Sequence, residues 1–187
     1  AGARQNREPR NPVTQTMTTN SQEHVAHLVE RFLPTVREYL EHVVGDAGEL
    51  EPMLRYHMGW QELDGAPAAS GGGKALRPVL CLAACEMAGG NWQEAIPAAA
   101  SLELIHNFSL IHDDIQDGDK TRRGRSTLWS IWGIPVAIAA GNAMRAIADR
   151  TIFKMGELGI TSDVTTTASA VLTTRYLEMI EGQYLDM

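Results

Sequence analysis

The sequence has no long hydrophobic run, only two cysteines and no excess of positive charge. The best candidate for a membrane span, residues 134–148, contains Asn142 and Arg145 and falls short of the roughly 18 apolar residues that a span needs. Cys81 and Cys85 lie in one apolar helical segment and match no zinc-binding pattern, so we expect a reduced pair in the core. The net charge of -7 argues against nucleic-acid binding, and we expect a cytoplasmic enzyme.

The sequence also lacks the alternating apolar pattern of β-strands and any short repeat. Apolar residues instead recur at helical spacing in segments that end at glycine. The pattern predicts an all-α protein with helices at about residues 21–45, 49–58, 77–88, 91–117, 126–132, 134–158 and 161 to the end. Residues 1–20 lack this periodicity and are expected to form a mobile segment before residues 21–187, which we expect to be the N-terminal part of one all-α domain.

The most informative stretch is the end of the fourth predicted helix, where Asp113, Asp114 and Asp117 follow an apolar segment. Asp113 and Asp117 share one face of a helix, where their charges repel and oppose the helix dipole. A divalent cation would offset this cost, and Mg²⁺ is commonly held by one or two carboxylates together with substrate phosphates. His106 and Glu103 continue the same polar stripe, which is typical of a helix that lines a polar cavity. The alternative is a solvated acidic helix end.

Two basic motifs flank this stretch. Gly72-Gly73-Lys74 with Arg77 lacks P-loop spacing, but a glycine-rich turn with lysine and arginine suits a phosphate. Arg122-Arg123-Gly124-Arg125 predicts an anion clamp beside the metal site, the alternative being a turn whose arginines neutralise the aspartates. Two anion-binding sites of different kinds, one with a metal and one without, predict two phosphorylated substrates, of which only one is activated by metal.

Taken together, the motifs resemble those of the trans-isoprenyl diphosphate synthase (polyprenyl synthetase) family in order and spacing. They are Gly73-Lys74-x-x-Arg77-Pro78, Glu103-x-x-His106, His112-Asp113-Asp114-x-x-Asp117, Arg122-Arg123-Gly124 and Gly182-Gln183-x-x-Asp186. The resemblance covers about residues 28–187. It implies an isoprenoid synthase-type helical bundle around a central cavity. The family's second aspartate-rich motif has no counterpart here, so we expect the C-terminal helices to be missing.

The resemblance implies a Mg²⁺-dependent prenyltransferase. Such an enzyme condenses isopentenyl diphosphate head to tail with an allylic diphosphate (dimethylallyl, geranyl or farnesyl), and the expected product is geranylgeranyl diphosphate. The chain as given is expected to be weakly active or inactive, and relatives lead us to expect a homodimer. Two alternatives remain open: a non-catalytic partner subunit of a prenyl diphosphate synthase, and a class I terpene cyclase.

The resemblance also assigns substrate-binding roles. Asp113 and Asp117 would bind Mg²⁺ on the allylic diphosphate, with Asp114 in support. Arg122 would contact the same diphosphate and, with Asp113 and Asp117, act in catalysis. The isopentenyl diphosphate would be held by a set of basic side chains: Lys74, Arg77, His106 and Arg123.

Further roles concern the cavity itself. Gln183 would line it near the reacting ends of the substrates. Phe108 and Ser109, just before the aspartates, would limit product length, the alternative being that Phe108 is simply a core aromatic. Asn142 departs from the family, in which many members have aspartate at that position.

Overall fold

The computed structural model describes the backbone of residues 12–69, 73 and 75–186, with side chains from Glu23 onward. Within these ranges it contains seven α-helices and one two-stranded hairpin, which confirms the all-α prediction. The helices are α1 (Pro12–Gly45), α2 (Glu51–His57), α3 (Leu76–Met87), α4 (Ile96–Gln116), α5 (Leu128–Trp132), α6 (Ile134–Phe153) and α7 (Ser162–Asp186). The hairpin strands are β1 (Thr121–Arg122) and β2 (Arg125–Ser126).

Helix α4 lies at the centre of the core and packs against α1, α3, α5, α6 and α7. Many of its apolar side chains are buried, Leu104 completely, whereas its last turn carries the aspartates. Small residues bring α6 close: a Cβ added at Gly141 would lie 2.5 Å from His112 Nε2. The Ser101 hydroxyl also donates a hydrogen bond across the pair to the Ala148 carbonyl, at 2.9 Å. This packing fixes the position of the α4 end.

Helix α7 contrasts with α4 because Thr165 is its one buried residue within the described part of the chain. Several of its apolar side chains are exposed, including Val171, Leu177 and Leu185. Among the described helices, none is both long and apolar enough to cross a membrane.

The helix boundaries differ from the predicted ones at three places. Helix α1 begins at Pro12, so residues 12–20 are helical, and residues 1–11 lie outside the described part. Helix α4 begins at Ile96, because Asn91 caps a preceding 3₁₀ turn by accepting a hydrogen bond from Gln93 N. The predicted sixth helix ends at Phe153 and continues as a 3₁₀ turn, a tighter geometry that is common at helix ends.

The hairpin at residues 121–126 was not predicted. Thr121 pairs with Ser126, and Arg122 pairs with Arg125, so two residues form the turn. Arg123 and Gly124 both have positive φ, 53° and 78°, as two-residue hairpin turns of type I′ require. Strands of two residues are too short to show alternation in a sequence.

Candidate active site

The three aspartates at the end of α4, which we call the acidic end, have different surroundings. Asp114 is 2% exposed and accepts a hydrogen bond from Arg122 Nε at 2.7 Å. Asp117 is exposed at the helix C-cap, and its backbone N–H donates to the Asp113 carbonyl at 2.8 Å. Asp113 is half-buried and accepts a hydrogen bond from Gln183 Nε2 of α7. The structure therefore brings Gln183 to the aspartates, across two helices.

The acidic end suits a cation held by two carboxylates. Burial and the charge of Asp117 raise the pKa of Asp113, although Arg122 and His112 act in the opposite direction. In the ranges that the structure describes, no group of three or more His, Cys, Asp or Glu side chains is arranged to hold a metal. Asp114 instead pairs with Arg122. This pair matches the alternative in which the arginines of the turn neutralise the aspartates. Two carboxylates that repel each other still match the ligand set of Mg²⁺, which keeps waters and binds phosphates.

Three basic side chains from separate elements form what we call the basic cluster. Arg77 comes from the first turn of α3, His106 from α4 and Arg123 from the hairpin turn. Burial, and then the charges of Arg77, Arg123 and Arg122, lower the pKa of His106 to about 4. His106 is therefore neutral at pH 7, and an imidazole N–H remains able to donate to a phosphate oxygen. Lys74 lies outside the described residues.

The loop before α3 lies directly against the hairpin. A Cβ added at Gly73 would lie 2.7 Å from Arg123 Nη1, so the guanidinium occupies space that any other residue at 73 would fill. Ala75, the residue before α3, has a left-handed backbone with φ of 40°. The Gly73 loop, α3 and the hairpin thus meet at the basic cluster.

A buried polar chain lies beneath the basic cluster. Glu103 is 8% exposed, and burial raises its pKa despite Asn107, Arg77 and Arg123. Asn107 Nδ2 donates to the Glu103 carbonyl at 2.9 Å and to Glu103 Oε1 at 3.2 Å. Asn107 also hydrogen-bonds the His57 imidazole, whose pKa falls to about 3 because of burial and the charges of Arg122 and Arg123.

Sequence reasoning missed His57. Its neighbours in α2 carry no motif, and it reaches α4 only because α2 folds back against the core. Glu103, in contrast, was found through its spacing to His106.

The two residues proposed to limit product length lie on the buried part of α4. Phe108 is 8% exposed and packs edge to face on His112 and on Tyr176 of α7, with ring centroids 4.5 Å and 5.5 Å apart. Ser109 is also buried, and its hydroxyl donates to the His106 carbonyl at 2.8 Å. Because α7 meets α4 at both Tyr176 and Gln183, the Phe108 ring lies along the α4–α7 contact, below Asp113. Asn142 is exposed on α6.

The model of the polyprenyl synthetase family matches residues 66–187. The chain belongs to the polyprenyl synthetase family. The match contains the Gly73 loop, the polar face of α4, the hairpin and α7, and His57 of α2 lies outside it.

Named relatives and a solved structure agree with this membership. A (2E,6E)-farnesyl diphosphate synthase of Mycobacterium bovis is 35% identical over 178 residues, which are 95% of this chain and 47% of that enzyme. A geranylgeranyl diphosphate synthase of Mycobacterium tuberculosis is 43% identical over 138 residues, 73% of this chain and 38% of that enzyme. The crystal structure of a polyprenyl synthetase from Streptomyces coelicolor A3(2) has a TM-score of 0.79 at 36% identity, over 87% of this chain and 47% of that chain. The chain spans about half the length of the curated relatives it matches.

Proposed function

We propose that the chain provides the substrate-binding face of a prenyltransferase that condenses isopentenyl diphosphate with an allylic diphosphate in a Mg²⁺-dependent reaction. One observation carries this proposal: helix α4 presents His106 to the basic cluster and Asp113 to the acidic end. One helix therefore faces both a site that binds phosphate without metal and a site that suits a metal-bound phosphate. The named farnesyl and geranylgeranyl diphosphate synthases among its relatives support the same reaction.

Different residues would bind the two substrates. Asp113 and Asp117 would hold Mg²⁺, which when bound offsets the negative charge of the allylic diphosphate as it leaves. Arg122, held by Asp114, adds a fixed positive charge beside that diphosphate. For the isopentenyl diphosphate, Arg77 and Arg123 supply charge, and His106 supplies a neutral donor. The Lys74 ammonium is proposed as a further contact.

The condensation breaks an allylic C–O bond and forms a C–C bond. The allylic C–O bond breaks, the diphosphate leaves with the electron pair, and the double bond of isopentenyl diphosphate attacks the carbon to form a C–C bond. A proton is then lost, and the released diphosphate is a suitable acceptor. The allylic cation must be kept from water, and the buried Phe108 ring with the half-buried Tyr176 ring below Asp113 supplies an apolar wall for this purpose. Gln183 holds Asp113 from the opposite helix.

Geranylgeranyl diphosphate is the product that we propose, with Phe108 and Ser109 at the floor of the chain-length region. The position of Phe108 on the α4–α7 contact supports this role. The exposed apolar side chains of α7 support self-association, and the homodimer stays a prediction. The cytoplasmic location also stays a prediction.

The proposed function is tested by substrate binding, measured by calorimetry with and without Mg²⁺. Isopentenyl diphosphate should bind with or without the metal, and farnesyl diphosphate should need it. Arg77→Gln should weaken the binding of isopentenyl diphosphate roughly tenfold, the size expected for the loss of one charged hydrogen bond. The binding of farnesyl diphosphate should stay unchanged. Arg150→Gln, which breaks an exposed ion pair with Asp46, is the matched control. Absence of isopentenyl diphosphate binding would favour the terpene cyclase instead.

A further inference from the structure

The hairpin presents one arginine to each of the two proposed substrate sites. Arg122 Nε donates to Asp114 at the acidic end, at 2.7 Å. The guanidinium of Arg123 belongs to the basic cluster and lies against Gly73. Because the two arginines are neighbours in the chain, any shift of the hairpin backbone would move both side chains. The position of this one hairpin therefore matters to both sites.

The hairpin is too small to fix its own position. Its ladder consists of two residue pairs, and the turn residues Arg123 and Gly124 are exposed. A two-stranded hairpin that packs on nothing else is at best marginally stable in water. Contacts with the rest of the fold must therefore hold it in place.

Strand β2 is attached to α2 and to the turn that follows it. The Tyr56 hydroxyl donates to the Ser126 carbonyl at 3.0 Å, and Arg125 Nη2 donates to the Gln61 carbonyl at 2.7 Å. These bonds hold the strand that leaves the turn. Strand β1, which carries Arg122 into the turn, needs an attachment of its own.

Strand β1 is attached through the backbone carbonyl of Asp119, two residues before it. The Thr127 hydroxyl donates to this oxygen at 2.8 Å and the Trp129 indole Nε1 donates to it at 2.7 Å. A carbonyl oxygen has two lone pairs, so it can accept both bonds. The next carbonyl, of Lys120, accepts from Thr127 N at 3.0 Å. We call Thr127 and Trp129 the hairpin anchor.

The hydroxyl of Thr127 is directed to the hairpin and not to its own helix. Threonine is favoured at a helix N-cap because its side-chain oxygen can accept from an N–H of the first turn. Thr127 is the N-cap of α5, yet among the described residues its side chain makes no such capping bond. It is 3% exposed, and Trp129 packs against the core, so both donors are oriented by packing.

We propose that Thr127 and Trp129 are positioning residues, which hold Arg122 and Arg123 where the two diphosphates bind. They touch neither ligand and act through the carbonyl of Asp119. The identity of the ligands rests on the proposed function, whereas the attachment of the hairpin does not. The two ideas can therefore fail separately.

The first test measures the hairpin without any substrate. ¹⁵N relaxation gives the backbone order parameters of Arg123 and Gly124, for which rigid backbone is near 0.85 and flexible backbone is below about 0.6. We expect the rigid value in the unaltered chain. Thr127→Val and Trp129→Phe, made together, remove both donors and should lower it below about 0.6. Thr127→Ser keeps the hydroxyl and should keep the order, and an equally ordered hairpin in the paired variant overturns the proposal.

The second test measures substrate affinity by calorimetry. The paired variant should bind isopentenyl diphosphate without metal, and farnesyl diphosphate with Mg²⁺, each roughly tenfold more weakly, the size expected for two lost neutral hydrogen bonds. Thr127→Ser should bind normally. The matched controls are Thr174→Val, whose hydroxyl bonds within α7, and Trp92→Phe in the turn before α4, and neither should change affinity. Normal affinities in a variant whose hairpin has become flexible would show that the anchor does not serve binding.

A double-mutant cycle separates positioning from a general loss of stability. Arg123→Gln removes the guanidinium that the anchor would position. In that background the paired change should weaken isopentenyl diphosphate less than about twofold, because coupled residues are not additive. The same tenfold loss in both backgrounds would place the effect elsewhere in the fold and refute the proposal. If the unaltered chain binds neither substrate, the proposed function fails, and the order parameters still decide whether the anchor holds the hairpin.

Discussion

The basic cluster and the acidic end share helix α4, yet their side chains are held in different ways. The side chains of the basic cluster come from α3, α4 and the hairpin, so three separate segments position them. The aspartates come from one helical turn, and burial and mutual repulsion raise the pKa of Asp113. We infer that the basic cluster is organised before a ligand arrives, whereas the acidic end needs a cation to complete it. We therefore expect a ligand at the basic cluster to need no metal and a phosphorylated ligand at the acidic end to need one.

The largest effect is expected at Phe108, which lies below the acidic end and not below the basic cluster. Phe108→Ala should lower the free energy of unfolding by about 3–5 kcal/mol, because it removes a buried aromatic side chain. In an active enzyme that contains this chain, it should also lengthen the product. Thermal unfolding and chromatography of the products measure the two effects. Phe153→Ala, at an exposed position, should change stability by less than about 0.5 kcal/mol, and an unchanged product length would contradict the chain-length role.

The next largest effect is expected from Asp113→Asn. It removes one of the two carboxylate charges, so farnesyl diphosphate binding in Mg²⁺ should weaken roughly a hundredfold, or about 2.7 kcal/mol. EDTA should have the same effect on the unaltered chain. Isopentenyl diphosphate should bind as before, since the basic cluster is intact. Asp163→Asn on α7 is the control, and equal weakening of both substrates would remove the distinction between the two sites.

A smaller effect is expected from Gly73→Ala. The added Cβ would lie 2.7 Å from Arg123 Nη1, so the guanidinium has to move. We expect roughly tenfold weaker binding of isopentenyl diphosphate by calorimetry, about 1.4 kcal/mol, and no change for farnesyl diphosphate with Mg²⁺. Gly156→Ala is a matched control, because an added Cβ there meets no atom within 4 Å. If Gly73→Ala binds normally, the Arg123 position is adjustable rather than fixed.

The smallest effect for a single residue is a loss of stability in mild acid. The pKa of His57 is about 3 and that of His106 about 4, both below the ordinary 6.5. The unfolded chain therefore takes up protons that the folded chain does not, so the stability is present above pH 6.5 and is lost as the pH falls towards 4 and then 3. Between pH 7 and 5.5 each histidine should remove about 1 kcal/mol. Urea unfolding across this pH range measures the free energy of unfolding. His57→Gln should reduce the slope of that free energy against pH.

The features that the sequence predicted depend on local spacing. Helix α4 could be predicted because its apolar and polar faces recur at helical intervals, and the same spacing places His106 and Asp113 on its polar stripe. The family's motifs assigned Arg77, His106 and Arg123 to one substrate, but the 2.7 Å approach of a Cβ at Gly73 to Arg123 Nη1 needed coordinates.

Other features depend on contacts between distant segments. His57 is a site neighbour only because α2 packs on α4, and no local pattern marks it. The pairing of Arg122 with Asp114 was named beforehand as one alternative, but spacing alone could not choose between a neutralising pair and an anion clamp. The type I′ turn at Arg123 and Gly124 could not be predicted from the sequence pattern, because its strands have only two residues each.

The close approach of α6 to α4 has a consequence for protein engineering. A Cβ at Gly141 would lie 2.5 Å from Nε2 and 2.7 Å from Cδ2 of His112. The side chains at positions 141 and 112 therefore compete for the same space between α6 and α4. A library that enlarges residue 141 while keeping His112 would displace helix α4, which carries the acidic end and His106 of the basic cluster. Mutagenesis of either position should therefore randomise both together, and selected variants should show their sizes changing in opposite directions.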